Sequence, residues 1–159
     1  MANSGNHILN KGIPKLKDAF VVIVKTEWNH LIVNKLSSGC KKILKNNNVL
    51  FKEFTVPGAF ELTFVIKQLS EKYKNADAFI AFGTVIRGNT PHFDYVCKAV
   101  TDGIVSLNIV LDVPTIFGVL TLENQQQAVD RVGGKHGHKG EEAAITAIKM
   151  IHLNRSITK

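Results

Sequence analysis

The sequence predicts an α/β fold in which a four-stranded parallel sheet is covered by helices on both faces. Three observations lead to this prediction. Four short segments are rich in apolar, β-branched and aromatic residues, as buried strands are. Segments with apolar residues three, four and seven positions apart lie between them, which indicates amphipathic helices. No repeat or linker divides the chain, so these helices would serve as right-handed crossovers within one sheet.

The elements are predicted in a regular order. The predicted strands are 19–24, 49–56, 78–86 and 114–121. The predicted helices are 28–45, a helix after Pro57 and Gly58 that reaches Tyr73, 91–107, 121–132, and a last helix after Gly140. Residues 46–48 would end the first helix, Thr121 would cap the fourth, and Gly133 would help to stop it. Because ligands of such folds bind beyond the carboxyl ends of the strands, we expect the site there.

Length and composition are typical of one globular domain. The 159 residues, 45% hydrophobic and 21% charged, suit a single domain at 19–159 preceded by an arm at 1–18. The arm has no apolar core of a secretory signal, and no apolar stretch approaches the ~20 residues that span a bilayer. Cys40 and Cys97 fall within predicted helices, where reduced thiols are expected. We therefore expect a cytoplasmic protein that does not enter a membrane.

The net charge of +7 is compatible with two kinds of partner. One is a polyanion such as nucleic acid, and the other is a small phosphorylated ligand. Most lysines fall on the polar faces of predicted helices, where solvated surface explains them. No basic strand interleaved with aromatic residues is present, nor is another nucleic-acid motif. We therefore expect a small phosphorylated ligand rather than nucleic acid.

The third predicted strand runs directly into Arg-Gly-Asn-Thr-Pro-His at 87–92. Thr90 can cap a helix, and Pro91 suits the first helical position because its missing N–H costs nothing there. His92 would then lie at a helix N-terminus, where free amides and the positive end of the helix dipole favour an anion such as phosphate. Taken alone, the segment is equally compatible with an ordinary surface histidine in a strand–helix turn.

Two other strand ends carry residues suited to a ligand. Trp28, the only tryptophan, can stack on a planar heterocycle or simply cover the edge of the sheet. Glu61 lies in the first turn of the second helix, where it can complement the helix dipole or bind ligand hydroxyl groups.

Residues 131–140 combine four glycines with several basic side chains. Glycines let backbone amides approach a ligand, and the Arg131 guanidinium matches phosphate geometry. A flexible basic surface loop is the alternative. His136 and His138 have the spacing of a metal pair, but no nearby cysteine or acidic partner supports one, so no metal is expected. With the aromatic ring, the carboxylate and the histidine above, this segment predicts a site for a planar ring, a polyol and a phosphate.

Beyond these physical arguments, the chain resembles the lumazine synthase family over residues 19–150. Besides Lys139 and Gly140, three blocks carry the resemblance: Val-Pro-Gly-Ala-Phe-Glu at 56–61, Gly-Thr-Val-Ile-Arg-Gly-Asn-Thr-Pro-His-Phe-Asp at 83–94, and Phe-Gly-Val-Leu-Thr at 117–121 with Gln-Ala-Val-Asp-Arg at 127–131. The resemblance implies a flavodoxin-like fold and a transferase of riboflavin biosynthesis. Such an enzyme condenses 5-amino-6-ribitylaminouracil with 3,4-dihydroxy-2-butanone 4-phosphate, giving the lumazine, phosphate and water without a cofactor. A non-catalytic flavin carrier or a shell protein of the same fold is the alternative.

The resemblance also implies roles for individual residues. His92 would transfer protons. The implied substrate-binding residues are Trp28 for ring stacking, Ala59, Phe60 and Glu61 for the ribityl chain, Val85 and Ile86 beside the pyrimidine, Asn89 and Thr90 in the loop that meets phosphate, Arg131 as the main phosphate clamp, Lys139 near the phosphate, and Phe117 from a neighbouring subunit.

The family resemblance further implies an oligomer. Its members form pentamers that commonly assemble twelve at a time into a 60-subunit icosahedral shell. Residues 7–9 are the plausible part of the arm to add a strand to an adjacent subunit. Two positions depart from the family pattern, since His138 stands where Asn is usual and Asp130 where Glu is usual. We expect His138 to alter how phosphate affinity varies with pH.

Overall fold

The computed structural model describes residues 11–158 and confirms the predicted fold class. The strands of its main sheet are β1 Phe20–Thr26, β2 Leu50–Val56, β3 Ala78–Ile86 and β4 Thr115–Leu122. The helices are α1 His30–Asn46, α2 Leu62–Lys72, α3 His92–Val110, α4 Gln125–Val129 and α5 Lys139–Ile157, and a 3₁₀ turn at Ala59–Glu61 precedes α2. Two short strands, β5 Val132–Gly134 and β6 Gly137–His138, form a separate antiparallel hairpin.

All four strands of the main sheet are parallel, in the order β2-β1-β3-β4. The chain leaves the central β1 towards β2 and returns on the other side to β3. The strand order therefore reverses between β1 and β3, and a crevice forms at their carboxyl ends, where open α/β sheets bind ligands.

Alternate residues of the buried strands face opposite sides of the sheet. Val21 and Ile23 of β1 pack in a core shared with α1 and α5. Val22 and Val24 pack in a second core shared with α2 and α3. The two cores make a three-layer sandwich, as predicted.

The structure corrects the predicted helix at 121–132. Thr121 does not cap a helix, because β4 pairs with β3 as far as Leu122 and the backbone of Thr121 belongs to that ladder. The helix is confined to α4, where the Asn124 side chain accepts a hydrogen bond from the Gln127 N–H (3.0 Å). Thr90 was also predicted as a cap, but α3 begins after Pro91 with no capping side-chain hydrogen bond.

The segment 131–140 is also more ordered than a flexible loop. Val132 pairs with His138, and Gly134 pairs with Gly137. Gly137 has φ of 78°, a left-handed conformation that glycine adopts at little cost. The last helix starts at Lys139, whereas the sequence predicted a start after Gly140.

Both cysteines are free thiols, as predicted. Burial raises the pKa of the Cys40 thiol, so this group is an inert part of the core. Within residues 11–158, no helix is both long enough and apolar enough to cross a bilayer. The segment 7–9, predicted to add a strand to a neighbour, lies outside the described residues.

Candidate active site

A cavity of about 430 Å³ opens at the carboxyl ends of β1, β2 and β3. Its position is the one that the strand order predicts. Most of the predicted site residues line it, namely Trp28, Ala59, Phe60, Glu61, Val85, Ile86, Thr90 and His92. The residues come from three separate strand ends, so the parallel sheet is what brings them together.

Trp28 is held over the cavity by backbone pairing that continues past the strands. The Glu27 N–H donates to the Val56 carbonyl (2.8 Å), and the Trp28 N–H donates to the Pro57 carbonyl (3.2 Å). A side chain at Gly58 would press on the indole, since a Cβ there would lie 3.3 Å from Trp28 Cε3. The indole therefore rests on the bare Gly58 backbone. It remains 68% exposed, which leaves a large aromatic face available for stacking.

Glu61 closes the 3₁₀ turn that precedes α2 and also lines the cavity. Its Oε2 accepts a hydrogen bond from the Gly58 N–H (2.9 Å), which orders the turn between β2 and α2. Glu61 therefore lies at the N-cap of α2 rather than within its first turn, and its side-chain hydrogen bond belongs to the preceding 3₁₀ turn. The carboxylate is still exposed at the cavity, where it can accept hydrogen bonds from a polyol.

The cavity lining also includes polar residues outside the predicted set of site residues, among them Asn29 and Thr84. Asn29 has left-handed backbone angles (φ 58°), and its Nδ2 donates to the Thr84 carbonyl (2.7 Å), which ties the end of β1 to β3. The Thr84 hydroxyl is buried and has no hydrogen-bond partner within residues 11–158. Thr84 itself lines the cavity, and a buried hydroxyl without a partner can pair with a polar group that reaches it. The only signal in the sequence was a hydroxyl close to the end of an otherwise apolar strand.

His92 is the first residue of α3 and is exposed to the cavity. The neighbouring Arg87 turns away from the cavity and braces this helix start. Its guanidinium donates to Asp94 (3.0 Å) and Glu123 (2.7 Å) and lies 4.1 Å from the Phe93 ring centroid. The hydrogen bonds to these two carboxylates raise the pKa of Arg87. The loop that carries Thr90 and His92 is therefore pinned at both ends.

Four predicted residues do not line this cavity. Asn89 is exposed beside it. Phe117 points from the middle of β4, opposite Ala81, and is 44% exposed. It lines a second cavity of about 530 Å³ together with Lys139. Arg131 lines neither of these cavities, and its Nη1 donates to the Gln127 carbonyl (3.1 Å).

Two lysines at the hairpin, Lys139 and Lys135, each form an ion pair with a nearby carboxylate. Lys139 Nζ contacts the Glu142 carboxylate at 2.7 Å, and Lys135 contacts Asp130 at 3.2 Å. Burial opposes ionisation of Asp130, but its hydrogen bonds to Gln126 and Lys135 lower its pKa overall. Asp130 thus holds Lys135 in place. Within the part of the chain that the structure describes, no group of three His, Cys, Asp or Glu side chains could hold a metal ion.

A parallel α/β sheet whose strand ends hold an aromatic plate, a carboxylate and an imidazole defines a small-molecule-binding protein with groups able to transfer protons. A family profile narrows this class, since the profile of 6,7-dimethyl-8-ribityllumazine synthase matches residues 18–155. The chain belongs to the 6,7-dimethyl-8-ribityllumazine synthase family.

Curated relatives lead to the same family. A protein from Bacteroides fragilis named 6,7-dimethyl-8-ribityllumazine synthase is 50% identical over 86% of this chain and 97% of its own length. Its namesake from Parabacteroides distasonis is 48% identical over 89% of this chain and 90% of its own. The namesake from Flavobacterium johnsoniae is 46% identical over 90% of this chain and 76% of its own.

Proposed function

We propose that this chain is a transferase that condenses 5-amino-6-ribitylaminouracil with 3,4-dihydroxy-2-butanone 4-phosphate. The products are 6,7-dimethyl-8-ribityllumazine, phosphate and water, and the pathway is riboflavin biosynthesis. The observation that carries the proposal is the cavity at the strand ends, which groups Trp28, Glu61 and His92 in a member of this family. An aromatic face suits the pyrimidine, a carboxylate suits the ribityl hydroxyls, and an imidazole suits proton transfer.

The reaction begins when the primary amine of the pyrimidine attacks the ketone of the four-carbon phosphate. Loss of water gives an imine, and loss of a proton followed by departure of phosphate gives an enol. The ribitylamino nitrogen then closes the ring, and a further water is lost. Every step moves a proton, and an imidazole such as that of His92 can donate and accept protons near neutral pH. Because the amine and the carbonyl are already mutually reactive, holding them together supplies much of the acceleration.

The remaining site residues would be contributed by a second copy of the chain. Phe117 would cover the pyrimidine from the side opposite Trp28, while Arg131 and Lys139 would bind the phosphate together with Thr90 and the adjacent Asn89. Two observations support this arrangement. Phe117, Arg131 and Lys139 do not line the cavity of their own chain, and Trp28 and Phe60 remain 68% and 66% exposed in it. Charge-assisted contacts from Arg131 would orient the ketone and help phosphate to leave.

We further propose that the subunits form a pentamer, which is either free or the building unit of a 60-subunit shell. We also propose that the protein works in the cytoplasm. Apolar residues on the outer faces of α3 and α5 support burial between subunits; they include Val105, Ile109, Leu153 and Ile157. The mass in solution tests this part, and a monomer retaining full activity would contradict it.

The activity itself is tested by mixing the two substrates with the protein and following the absorbance of the lumazine in single-turnover and steady-state experiments. Enzymatic formation of lumazine above the uncatalysed background is expected. Tight lumazine binding without catalysis would instead identify a carrier, and assembled shells without either property would identify a shell protein.

Subunit mixing tests the shared site. His92→Ala and Arg131→Ala subunits are dissociated together and reassembled. If the two side chains meet across a boundary, some boundaries in the mixed assembly combine an intact His92 with an intact Arg131, and activity exceeds the mean of the two parents. Activity equal to that mean would contradict a site shared in this way.

A further inference from the structure

The two proposed phosphate-binding cations, Arg131 and Lys139, lie opposite each other where the chain enters and leaves the β5–β6 hairpin. This pair of positions is the hairpin base. The backbone N–H of Lys139 donates to the carbonyl of Arg131 (2.8 Å). The next pair up the hairpin is Val132 with His138. Any displacement of the base therefore moves both cations together, and any contact that holds the base holds both.

The His138 side chain is one of the contacts that hold this base against helix α1. Its ring occupies the space where residue 39 would otherwise carry a side chain, because a Cβ built on Gly39 would lie 2.6 Å from Nε2 and 2.7 Å from Nδ1. Gly39 is buried in the middle of α1, a position where glycine is less favourable than alanine. The backbone at Gly140 packs directly on Leu36 of the same helix, where a methyl group would overlap the Leu36 carbonyl oxygen.

The same ring caps helix α5. His138 Nδ1 accepts a hydrogen bond from the backbone N–H of Glu141 (3.4 Å). An unprotonated Nδ1 is needed for this bond. One side chain thus wedges the hairpin against α1 and orders the helix turn from which Lys139 projects.

We propose that His138 is a positioning residue for phosphate binding, and that through its contact with Gly39 it sets the placement of Arg131 and Lys139. The inference rests on the proposed function, in which these two cations bind the phosphate of the four-carbon substrate.

Burial, rather than the surrounding charges, is the main factor that favours the neutral form of the His138 ring. Burial lowers the pKa of His138, while Glu141 and Glu142 of α5 act in the opposite direction and Lys42 of α1 adds to the lowering. Gly133 lies beside the ring and Val132 pairs with His138 in the hairpin, and neither residue carries a charge. Acidification would protonate Nδ1, remove the cap and place an extra charge beside Lys42, so phosphate binding should weaken.

A double-mutant cycle tests the wedge. Gly39→Ala and His138→Ala are each expected to raise KM for the butanone phosphate about 3- to 10-fold, the equivalent of one ordinary hydrogen bond, with a smaller change in kcat. In the double variant the alanine methyl at residue 39 enters the space left by the ring, so the increase should be smaller than the product of the two single increases. His152→Asn is the matched control, because His152 is an exposed histidine on α5, the helix that His138 caps. This substitution should leave KM unchanged.

A second readout separates positioning from simple structural support. His138→Asn keeps a capping side chain that does not titrate in the neutral range. The ratio of wild-type KM to His138→Asn KM is measured at pH about 7.5 and about 5.5, which cancels the titration of the substrate phosphate. The ratio should be larger at the lower pH. Circular dichroism and the mass in solution verify that each variant is folded and assembled.

The outcomes distinguish the inference from the function on which it rests. If Arg131→Ala leaves KM unchanged, the proposed phosphate role fails and the inference fails with it. If Arg131→Ala raises KM while Gly39→Ala leaves it unchanged, only the inference is overturned. Strictly multiplicative effects in the cycle, or a KM ratio that does not vary with pH, would likewise overturn it.

Discussion

The cavity at the strand ends and the β5–β6 hairpin, with Arg131 and Lys139 on either side of it, differ in how much of the proposed site a single chain completes. The cavity already holds the groups suited to a ring, a polyol and proton transfer. The hairpin carries the cations suited to phosphate, yet they do not line that cavity. The strongly charged part of the proposed substrate pair would therefore be bound by a surface whose position depends on both assembly and the His138 wedge. Recognition of the ring and recognition of the phosphate can therefore be perturbed separately.

The largest expected effect is on the cavity side, from His92→Ala. We expect kcat to fall by about 10²-fold, the lower end of general acid–base catalysis, because bound substrates still react with each other. KM for both substrates should change little. Steady-state kinetics measures both parameters, with His152→Ala as a folded control. An unchanged kcat would remove His92 from proton transfer.

On the hairpin side, Arg131→Ala should mainly raise KM for the butanone phosphate, by roughly 10- to 100-fold, as expected for loss of one charge-assisted contact. KM for the pyrimidine should be nearly unchanged. Lys135→Ala is the matched control, because Lys135 is a hairpin cation that pairs with Asp130 and is 68% exposed. Equal effects of the two variants would mean that general positive charge, rather than a specific clamp, attracts the phosphate.

Thr84→Val sharpens the comparison from within the cavity. If the orphan hydroxyl meets the pyrimidine, KM for that substrate should rise about 2- to 10-fold, whereas KM for the phosphate substrate stays constant. Thr115→Val offers a close control, because the Thr115 hydroxyl is also buried without a partner but lies away from this cavity. Neither variant should lose thermal stability, since no hydrogen bond is removed. A similar KM in both variants would exclude a contact between Thr84 and the ligand.

The smallest effect concerns α1, the helix that supports the hairpin. Burial alone would raise the pKa of Glu53, but hydrogen bonds from Ser37 and Lys25 and the nearby Lys41 lower it overall. A carboxyl whose pKa is lower in the folded state stabilises the protein above its unfolded pKa, and this contribution disappears as the pH falls. Between pH about 6 and about 3, thermal melts should show a steeper loss of stability for the wild type than for Glu53→Gln. Parallel curves would contradict a stabilising role for this ionised carboxylate.

Sequence reasoning performed best where local pattern and burial agree. Strand β3 has the predicted bounds because its nine consecutive residues are largely apolar and the first seven are buried between two helix layers. The first helix ends at Asn46, among the three asparagines expected to end it. Trp28, Glu61 and His92 were expected at the strand ends, and the parallel sheet brings them to one cavity. Their roles in catalysis and binding stay predictions.

Sequence reasoning performed worst where long-range contacts decide the local structure. The hairpin at 132–138 has neither an apolar alternation nor enough length to predict a strand, so it was interpreted as the end of a helix and a loop. Thr121 was assigned to a helix because its pairing with Val85 across the sheet has no local signature. The orphan state of the Thr84 hydroxyl and the contact of His138 with Gly39 depend on residues distant in the chain, which no periodicity reveals.

Periodicity, turn residues and three dense blocks of characteristic residues were enough to determine the three-layer class, the edge of the sheet where the cavity opens and the family of the chain. These properties follow from which residues prefer burial and how far apart they recur along the chain. Only the tertiary structure decided that the aromatic, acidic and imidazole groups share one cavity while the cations remain on a separate hairpin. That division depends on how the crossovers pack and on which side chains fill the gaps between helices, and such contacts form only when the chain has folded.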